Sequence, residues 1–332
     1  MNVLITGAAG FIGDFLTEHC AEAGSTVLGI DIHETDGRAS GSAFELCDVR
    51  NSARMSALLL KFRPDCIFHL AARSYPTVSL AHPLETFDAN VGGTISLFEC
   101  IRAAGMKSKV VVACSSAQYG PVADADLPIK ETHALRPLHP YGVSKVAQDL
   151  LAAQYFANYA IPAIRIRIFK TTGPGKLGDV CSDLARRAIE IEMGIRPPTL
   201  AVGNLANRRS IVDVRDLVRA LWLSAASCQP GEVYNLGGDD VYSVRELVGA
   251  IREQMPCNFH VEQRPELMRA CDEPVTAGDN AKFRSCCAWT PQIPLAKTLG
   301  DMLEWWRVRL GGAATAEPLA ETVRVARSAG RK

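Results

Sequence analysis

The chain has 332 residues, 48% of them hydrophobic and 22% charged, which is enough to bury a sizeable core and too apolar for a disordered polymer. Lysine plus arginine and aspartate plus glutamate each total 36, so the formal net charge is zero. That balance gives no overall attraction to nucleic acid or to an anionic membrane, and any anionic ligand must be held by local positive groups.

The length exceeds a typical single domain and predicts two domains sharing a cleft. The eleven cysteines include no Cys-x-x-Cys pair, and several lie in apolar runs, as Cys66 does in PDCIFHL. They read as buried, reduced thiols rather than disulfides or metal ligands, so no metal site is expected. The N-terminus MNVLITGAAGFIG lacks the features of a signal peptide, and no run of about 18 apolar residues occurs. A cytoplasmic protein is expected.

In chain order, Val3–Ile5 reads as a strand and Phe11 to about Ala23 as a helix. Val27–Ile30 is the next strand, a third short strand precedes Cys47, and Cys66–Leu70 follows an amphipathic stretch. A helix around Asn90–Ala103 leads to a strand at Lys109–Ala113. Tyr141–Tyr159 reads as a helix and Ala163–Ile168 as a strand. Strands alternating with helices require parallel pairing and right-handed crossovers, which gives an α/β fold with a Rossmann-type doubly wound parallel sheet. Beyond Gly173 the rhythm loosens, and Asp213–Ala226 with Glu232–Leu236 reads as one more helix and strand. The expected division is therefore 1–173 with 210–237 for the sheet domain, and 174–209 with 238–310 for a smaller, discontinuous one. Residues 311–332 read as a frayed tail.

The first strand runs into Thr6-Gly7-Ala8-Ala9-Gly10-Phe11-Ile12-Gly13 and then a helix. Glycines at a strand–helix junction permit a tight turn and close approach of backbone N–H groups to a pyrophosphate, with the helix dipole favouring the anion. Position turns a weak motif into a strong one. The second strand ends at Asp31, eighteen residues after Gly13, where a carboxylate accepts bonds from ribose hydroxyls and repels a 2′-phosphate. NAD is therefore favoured over NADP; Arg38 is within reach in sequence to soften that preference, but reads first as an exposed loop arginine. In Cys47-Asp48-Val49, Asp48 is placed to meet the adenine, and also reads as the N-cap of a helix starting near Asn51.

Tyr141 and Lys145, four apart at the start of a predicted helix, share one face. An ammonium near a phenol lowers its pKa and suits it to proton exchange with a substrate oxygen. The third member lies in Ala113-Cys114-Ser115-Ser116-Ala117-Gln118-Tyr119-Gly120, where a serine at a strand's C-terminal end faces the ligand crevice.

The ordered motifs TGAAGFIG, HLAA, SSAQYG and YGVSK resemble the extended short-chain dehydrogenase/reductase superfamily. The resemblance covers nearly the whole chain to about Leu310. It implies that Tyr141 is the acid/base, Lys145 its partner and ribose anchor, and Ser115 the hydroxyl-orienting residue. The cofactor-binding set it implies is Gly7, Gly10, Phe11, Ile12, Gly13, Asp31, Asp48, Val49, Leu70, Ala71, Ala72 and Asn90, with Tyr141 and Lys145, and Thr6 in the supporting shell.

Further stretches, HLAARSYPTVSLAHPLETFDANVGGT, TTGPGK, RRSIVDVRDLVRA, GEVYNLGG and RPELMRACDEPVTAGDNAKFR, are similar to nucleotide-sugar enzymes of the GDP-mannose 4,6-dehydratase and GDP-4-keto-6-deoxymannose reductase branch. This implies a nucleotide-sugar substrate met by Ser79, Lys170, Arg209 and Arg269, the two arginines holding its diphosphate. The other reading of either arginine is a surface salt bridge. A dehydratase carries a carboxylic acid two residues after the catalytic hydroxyl. Here that residue is Ala117, so dehydration is disfavoured unless Glu131 or another acid reaches in.

A 4-reductase and a 4-epimerase both remain, with TTGPGK and the segment 264–269 leaning towards the reductase. Relatives usually carry Asn where this chain has Lys170, a residue that reaches either an anionic group or solvent. A non-catalytic dinucleotide sensor of the same fold would lose the tyrosine or the lysine, and this chain keeps both. The resemblance also implies a homodimer, paired through the helices around Leu84–Ala103 and Gln148–Tyr159, and a place in glycan precursor synthesis.

Overall fold

A computed structural model describes residues 1–34, 42–268 and 274–313. Its first half alternates strands β1 (Asn2–Thr6), β2 (Thr26–Asp31), β3 (Ser42–Leu46), β4 (Cys66–His69), β5 (Lys109–Ser115) and β6 (Ala163–Ile168) with helices. Those helices are α1 (Phe11–Glu22), α2 (Ser52–Phe62), α3 (Pro76–Ala81), α4 (Pro83–Phe87), α5 (Gly93–Ala103) and α6 (Pro140–Tyr159). Next come β7 (Lys170–Thr172), α7 (Val180–Glu192), β8 (Thr199–Val202), β9 (Arg208–Asp213), α8 (Val214–Ser227) and β10 (Val233–Leu236). The chain continues through β11 (Val241–Ser243), α9 (Val244–Arg252), β12 (His260–Gln263), β13 (Val275–Thr276), α10 (Ala281–Cys286) and α11 (Leu295–Ala313).

Seven strands form one sheet in the order β10-β6-β5-β4-β1-β2-β3, all pairs parallel. The chain winds outward from β1 to β3 and then from β4 to β10, so strand order reverses between β1 and β4. A crevice opens at such a switch point, beyond the carboxyl ends of the strands. This is the Rossmann-type α/β fold that the alternating pattern predicts.

Residues alternate between the two faces of β1. Val3 and Ile5 join Leu16 of α1 and Leu217 of α8 on one side, while Leu4 meets Leu59 of α2 and Leu97 of α5 on the other. Burial on both faces explains why these strands read as continuous apolar runs. β10 rejoins the sheet, but β9 pairs instead with β7, β11 and β13. A third apolar cluster, including Leu184, Leu247, Leu303 and Trp306, holds α7, α9 and α11 together.

Two elements differ from the sequence expectation for local reasons. β5 runs to Ser115 rather than Ala113, because its register with β6 continues to Ser115 opposite Ile168. Short helices α3 and α4 each start at a proline, Pro76 and Pro83, whose fixed φ suits a first helical position. No described helix is long and apolar enough to cross a membrane. All ten described cysteines are free thiols and eight are buried.

Trp289 is 1% exposed, packs edge-on against Phe283 and donates its indole N–H to the Asp216 carbonyl at 3.0 Å. It fastens the segment after α10 to α8. Trp289→Ala is expected to cost about 3–5 kcal/mol, read as a lower urea midpoint with unchanged slope. A loss below about 1 kcal/mol would contradict this packing role.

Candidate active site

The turn after β1 is pressed into the switch point. Gly7 takes φ +76°, and a Cβ there would lie 2.8 Å from the Ala71 nitrogen, in the segment leaving β4. At Gly13 a Cβ would lie 2.1 Å from the Gly7 carbonyl oxygen, so only glycine lets α1 pack against its own turn. Gly10 is the N-cap residue, and no side chain caps the helix. The N–H groups of its first turn, at Phe11, Ile12 and Gly13, thus remain available to an anion. Leu70, Ala71 and Ala72 line the opposite wall, partly exposed.

Asp31 ends β2 beside this turn. Its carboxylate accepts the Ala9 N–H at 3.1 Å, the Ile32 N–H at 2.7 Å and the His33 N–H at 3.2 Å, which fixes its orientation. Arg38 lies outside the described residues. Asp48 does not cap α2. Asn51 does so, accepting the Arg54 N–H, while the Asp48 carboxylate is chelated by the Arg50 guanidinium, whose hydrogen bonds hold its pKa below the ordinary value. The neighbouring Val49 is buried and would meet a Cβ at Gly93 at 2.7 Å, which brings α5 close to this edge.

Helix α6 begins with His139 as N-cap, its Nδ1 accepting the Gly142 N–H, and with Pro140 at its first position. This start presents Tyr141 and Lys145 to the end of β5. The Tyr141 phenol lies near enough to Ser115 for that residue to lower its pKa. The Lys145 ammonium lies 5.9 Å from the centre of the Tyr141 ring and donates to the Ala113 carbonyl at 2.8 Å. The structure thus brings Ser115, Tyr141 and Lys145 together.

The expected lowering of the phenol pKa is not found. Burial pushes Tyr141 up to about 12, with Ser115 acting in the opposite sense. Lys145 donates one of its three N–H groups to a backbone carbonyl, and burial pulls its own pKa down to about 8.

Behind these groups runs a buried polar string. Thr6 Oγ1 lies 2.8 Å from His69 Nδ1, and His69 Nε2 lies 3.0 Å from Thr94 Oγ1. The Thr94 hydroxyl donates to the Asn90 carbonyl, so His69 must donate from Nε2 and accept at Nδ1. Asn90 donates to Ser144 Oγ at 2.8 Å and grips both backbone groups of Arg73, while Ser144 donates to the Tyr141 carbonyl. Ser79 is fully buried and accepts the Tyr141 N–H at 3.1 Å, so it supports the helix start. His69, Thr94 and Ser144 were not singled out from the sequence. The available signal was a histidine inside the apolar strand CIFHL, which burial obliges to find partners.

On the far side of the crevice, Lys170 opens β7 opposite Ile211 of β9, and Arg209 stands two residues earlier on that neighbouring strand. Lys170 Nζ is 3.7 Å from Asp179 Oδ2, a buried carboxylate oxygen with no hydrogen bond, so the side chain turns towards a charge rather than solvent. Lys176 lies nearby with its ammonium 4.8 Å above the Phe11 ring. Arg209 is partly exposed and donates to the Arg208 carbonyl at 2.8 Å. Arg269 lies outside the described residues.

The sequence matches the family model described as GDP-mannose 4,6 dehydratase over residues 4–302. The chain belongs to this family. With it comes membership of the short-chain dehydrogenase/reductase superfamily of NAD-dependent epimerases and dehydratases. The chain is 26% identical to the GDP-6-deoxy-D-mannose reductase of Pseudomonas aeruginosa, over 93% of this chain and 98% of that protein. It is 30% identical to the UDP-glucose 4-epimerase of Mycolicibacterium smegmatis, over 92% and 99% respectively. Among solved structures it resembles RMD from Pseudomonas aeruginosa complexed with NADPH, with a TM-score of 0.82, 26% identity, and 93% and 99% of the two chains covered. MoeE5 in complex with UDP-glucuronic acid and NAD gives a TM-score of 0.82, 30% identity, and 93% and 100% coverage.

Within this GDP-mannose 4,6 dehydratase family the present chain has Ala117 two residues after Ser115. Glu131 does not stand in for an acid there, because its carboxylate accepts the Asn235 N–H at 2.8 Å. Among the described residues no group of three or more His, Cys, Asp or Glu side chains is placed to hold a metal ion.

The polar string also has a pH signature. Burial, aided by the Lys145 charge, lowers His69 to about 3, whereas the unfolded chain titrates near 6.5. The folded value is depressed, so between these limits the unfolded state binds the extra proton and stability falls as pH falls. From pH 7 to pH 5 this group alone is expected to cost about 2 kcal/mol. In His69→Gln, urea unfolding at the two pH values should show a correspondingly smaller loss, and an unchanged loss would mean that His69 is not held neutral.

Proposed function

We propose that this chain is an NAD(P)-dependent nucleotide-sugar oxidoreductase that reduces the 4-keto group of a GDP-4-keto-6-deoxyhexose. The observation that carries the reading is a phenol kept protonated by burial beside Ser115, with an alanine where dehydration would need an acid. In this reading the glycine turn, with Gly7, Gly10, Phe11, Ile12 and Gly13, receives the pyrophosphate. Asp31 meets the ribose, Asp48 and Val49 the adenine side, and Leu70, Ala71, Ala72 and Asn90 the opposite wall. A turn too tight for any Cβ and a helix end without a side-chain cap fit such a group. When bound, the dinucleotide supplies the hydride.

The protein's own part is to orient and to protonate. Ser115 donates to the ketone oxygen and aligns it with the phenol. Tyr141 gives its proton to the oxygen as negative charge develops there, so ketone, hydride and proton together become an alcohol. A phenol with a pKa of about 12 is fully protonated at neutral pH, the form this step consumes. Lys145, cationic below about pH 8, favours the phenolate left behind and is placed to hold ribose hydroxyls. Lys170, Arg209 and Arg269 are assigned to the sugar nucleotide. Ser79, expected there from the sequence, is instead buried with its hydroxyl between the Pro76 carbonyl and the Tyr141 N–H, and acts only through the start of α6. A second reading, 4-epimerisation, is favoured by Asp31, since a carboxylate at that place suits NAD, and by the 30% identity to a UDP-glucose 4-epimerase.

Freshly generated GDP-4-keto-6-deoxymannose is expected to drive stoichiometric consumption of NADH or NADPH, with a 6-deoxyhexose product by NMR. Absence of consumption, with interconversion of UDP- or GDP-sugars without added reductant, would transfer the assignment to epimerisation. Tyr141→Phe is expected to lower turnover about 10²–10⁴-fold with dinucleotide affinity unchanged, and near-normal turnover would overturn the mechanism. Asp31→Ala should narrow the gap between NADH and NADPH in kcat/KM, and an unchanged ratio would mean that another residue reads the ribose.

A further inference from the structure

Three residues past Ser115, Gln118 is fully buried in the turn that ends β5. Its Oε1 accepts the Ser115 N–H at 3.0 Å, and its Nε2 donates to Asp149 Oδ2 at 3.0 Å. The Ser115 hydroxyl in return accepts the Ala117 N–H at 3.2 Å. Asp149, with no exposed surface, also accepts Arg165 Nη1 at 2.8 Å and Arg167 Nε at 2.7 Å. It lies on α6 four residues after Lys145 and eight after Tyr141, one and two turns further along the same face. A dry route outside the crevice therefore joins the strand end that carries Ser115 to the helix that carries Tyr141 and Lys145.

The chemistry of this route demands an amide. The Ser115 N–H can only donate and the ionised Asp149 carboxylate can only accept, so the group between them must accept at one end and donate at the other. Glutamine does both. An ionised glutamate would face Asp149 with like charge, and an apolar side chain would leave the N–H unpaired and the carboxylate one donor short.

We propose that Gln118 is a positioning residue, whose side-chain amide ties Ser115 to Asp149 and so sets the Ser115 hydroxyl against Tyr141. The inference rests on the proposed reduction at that site. Arg165 and Arg167 face Asp149 from β6, Cys114 from β5 and Lys145 from α6. The Tyr119 phenol and the Glu131 carbonyl sit on Arg167, and His133 lies beside Tyr119. In Gln118→Glu the new carboxyl, buried and next to Asp149, bridges both partners only while protonated.

The test compares wild type, Gln118→Leu and Gln118→Glu as full-length enzymes. Gln118→Leu is expected to lower kcat about 10–100-fold, the scale of a misplaced reacting group, with the KM for the dinucleotide unchanged. For Gln118→Glu, the ratio of its kcat to that of wild type should climb towards one as pH is lowered from 8 to 6, a limb beyond the one that Lys145 gives both enzymes near pH 8. A merely structural role would move Tm without adding that limb. A Gln118→Leu kcat within twofold of wild type would overturn the proposal, and so would a Gln118→Glu profile of wild-type shape. If Gln118→Leu does not fold, the Gln118→Glu profile decides. A wild type that turns over no keto sugar would sink the functional reading instead. The tether is then judged by hydrogen exchange, where Gln118→Leu should speed the Ser115 amide at least tenfold relative to its β5 neighbours, and unchanged protection would refute it.

Discussion

A helix can hold a phenol and an ammonium against the end of a strand only if something fixes its height and rotation over the sheet. Here that constraint is one buried carboxylate, Asp149, which collects Arg165, Arg167 and Gln118 between α6, β6 and the turn after β5. A lone charge at this depth would be strongly unfavourable. Two guanidinium groups and an amide make it tenable, provided that all of them meet at one point. Because the carboxylate belongs to α6 and its partners belong to the sheet side, satisfying the charge also sets where Tyr141 and Lys145 stand.

A second constraint lies at the switch point. The turn after β1 touches the segment after β4 so closely that side-chain atoms are excluded at Gly7 and Gly13. Thr6, at the end of β1, reaches His69 and through it Thr94, Asn90 and Ser144. The turn proposed to receive the dinucleotide and the helix proposed to supply the proton are thus ends of one polar string. Each member has a donor or an acceptor matched to the next, while burial keeps His69 neutral. Lys170 and Lys176 both stand near the buried Asp179 carboxylate.

Much of this was legible in the sequence because it depends on local periodicity and on turns. Strand–helix alternation, burial of both sheet faces and the glycine turn gave the fold class, and i, i+4 spacing placed Tyr141 and Lys145 on one face. Local reasoning failed where the answer depended on distant partners. Asp48 has the composition of a helix cap, yet Arg50 captures it and Asn51 performs the capping. Lys145 has the spacing to acidify Tyr141, yet it donates to the Ala113 carbonyl and burial raises the phenol instead. Lys170 reads equally as a solvent lysine, and only the pairing of β7 with β9 and the start of α7 bring it to Asp179.

By itself the sequence determined the doubly wound sheet, the place of the glycine turn and the grouping of Ser115, Tyr141 and Lys145. Each is encoded by residues near one another along the chain and limited by backbone geometry. The tertiary structure alone decided the protonation of Tyr141, His69 and Lys145, the partners of Asp31 and Asp48, and the joining of Ser115 to α6 through Gln118 and Asp149. Those depend on desolvation and on hydrogen bonds between distant segments, such as Thr6 and Ala71, 65 residues apart, and no local pattern carries them.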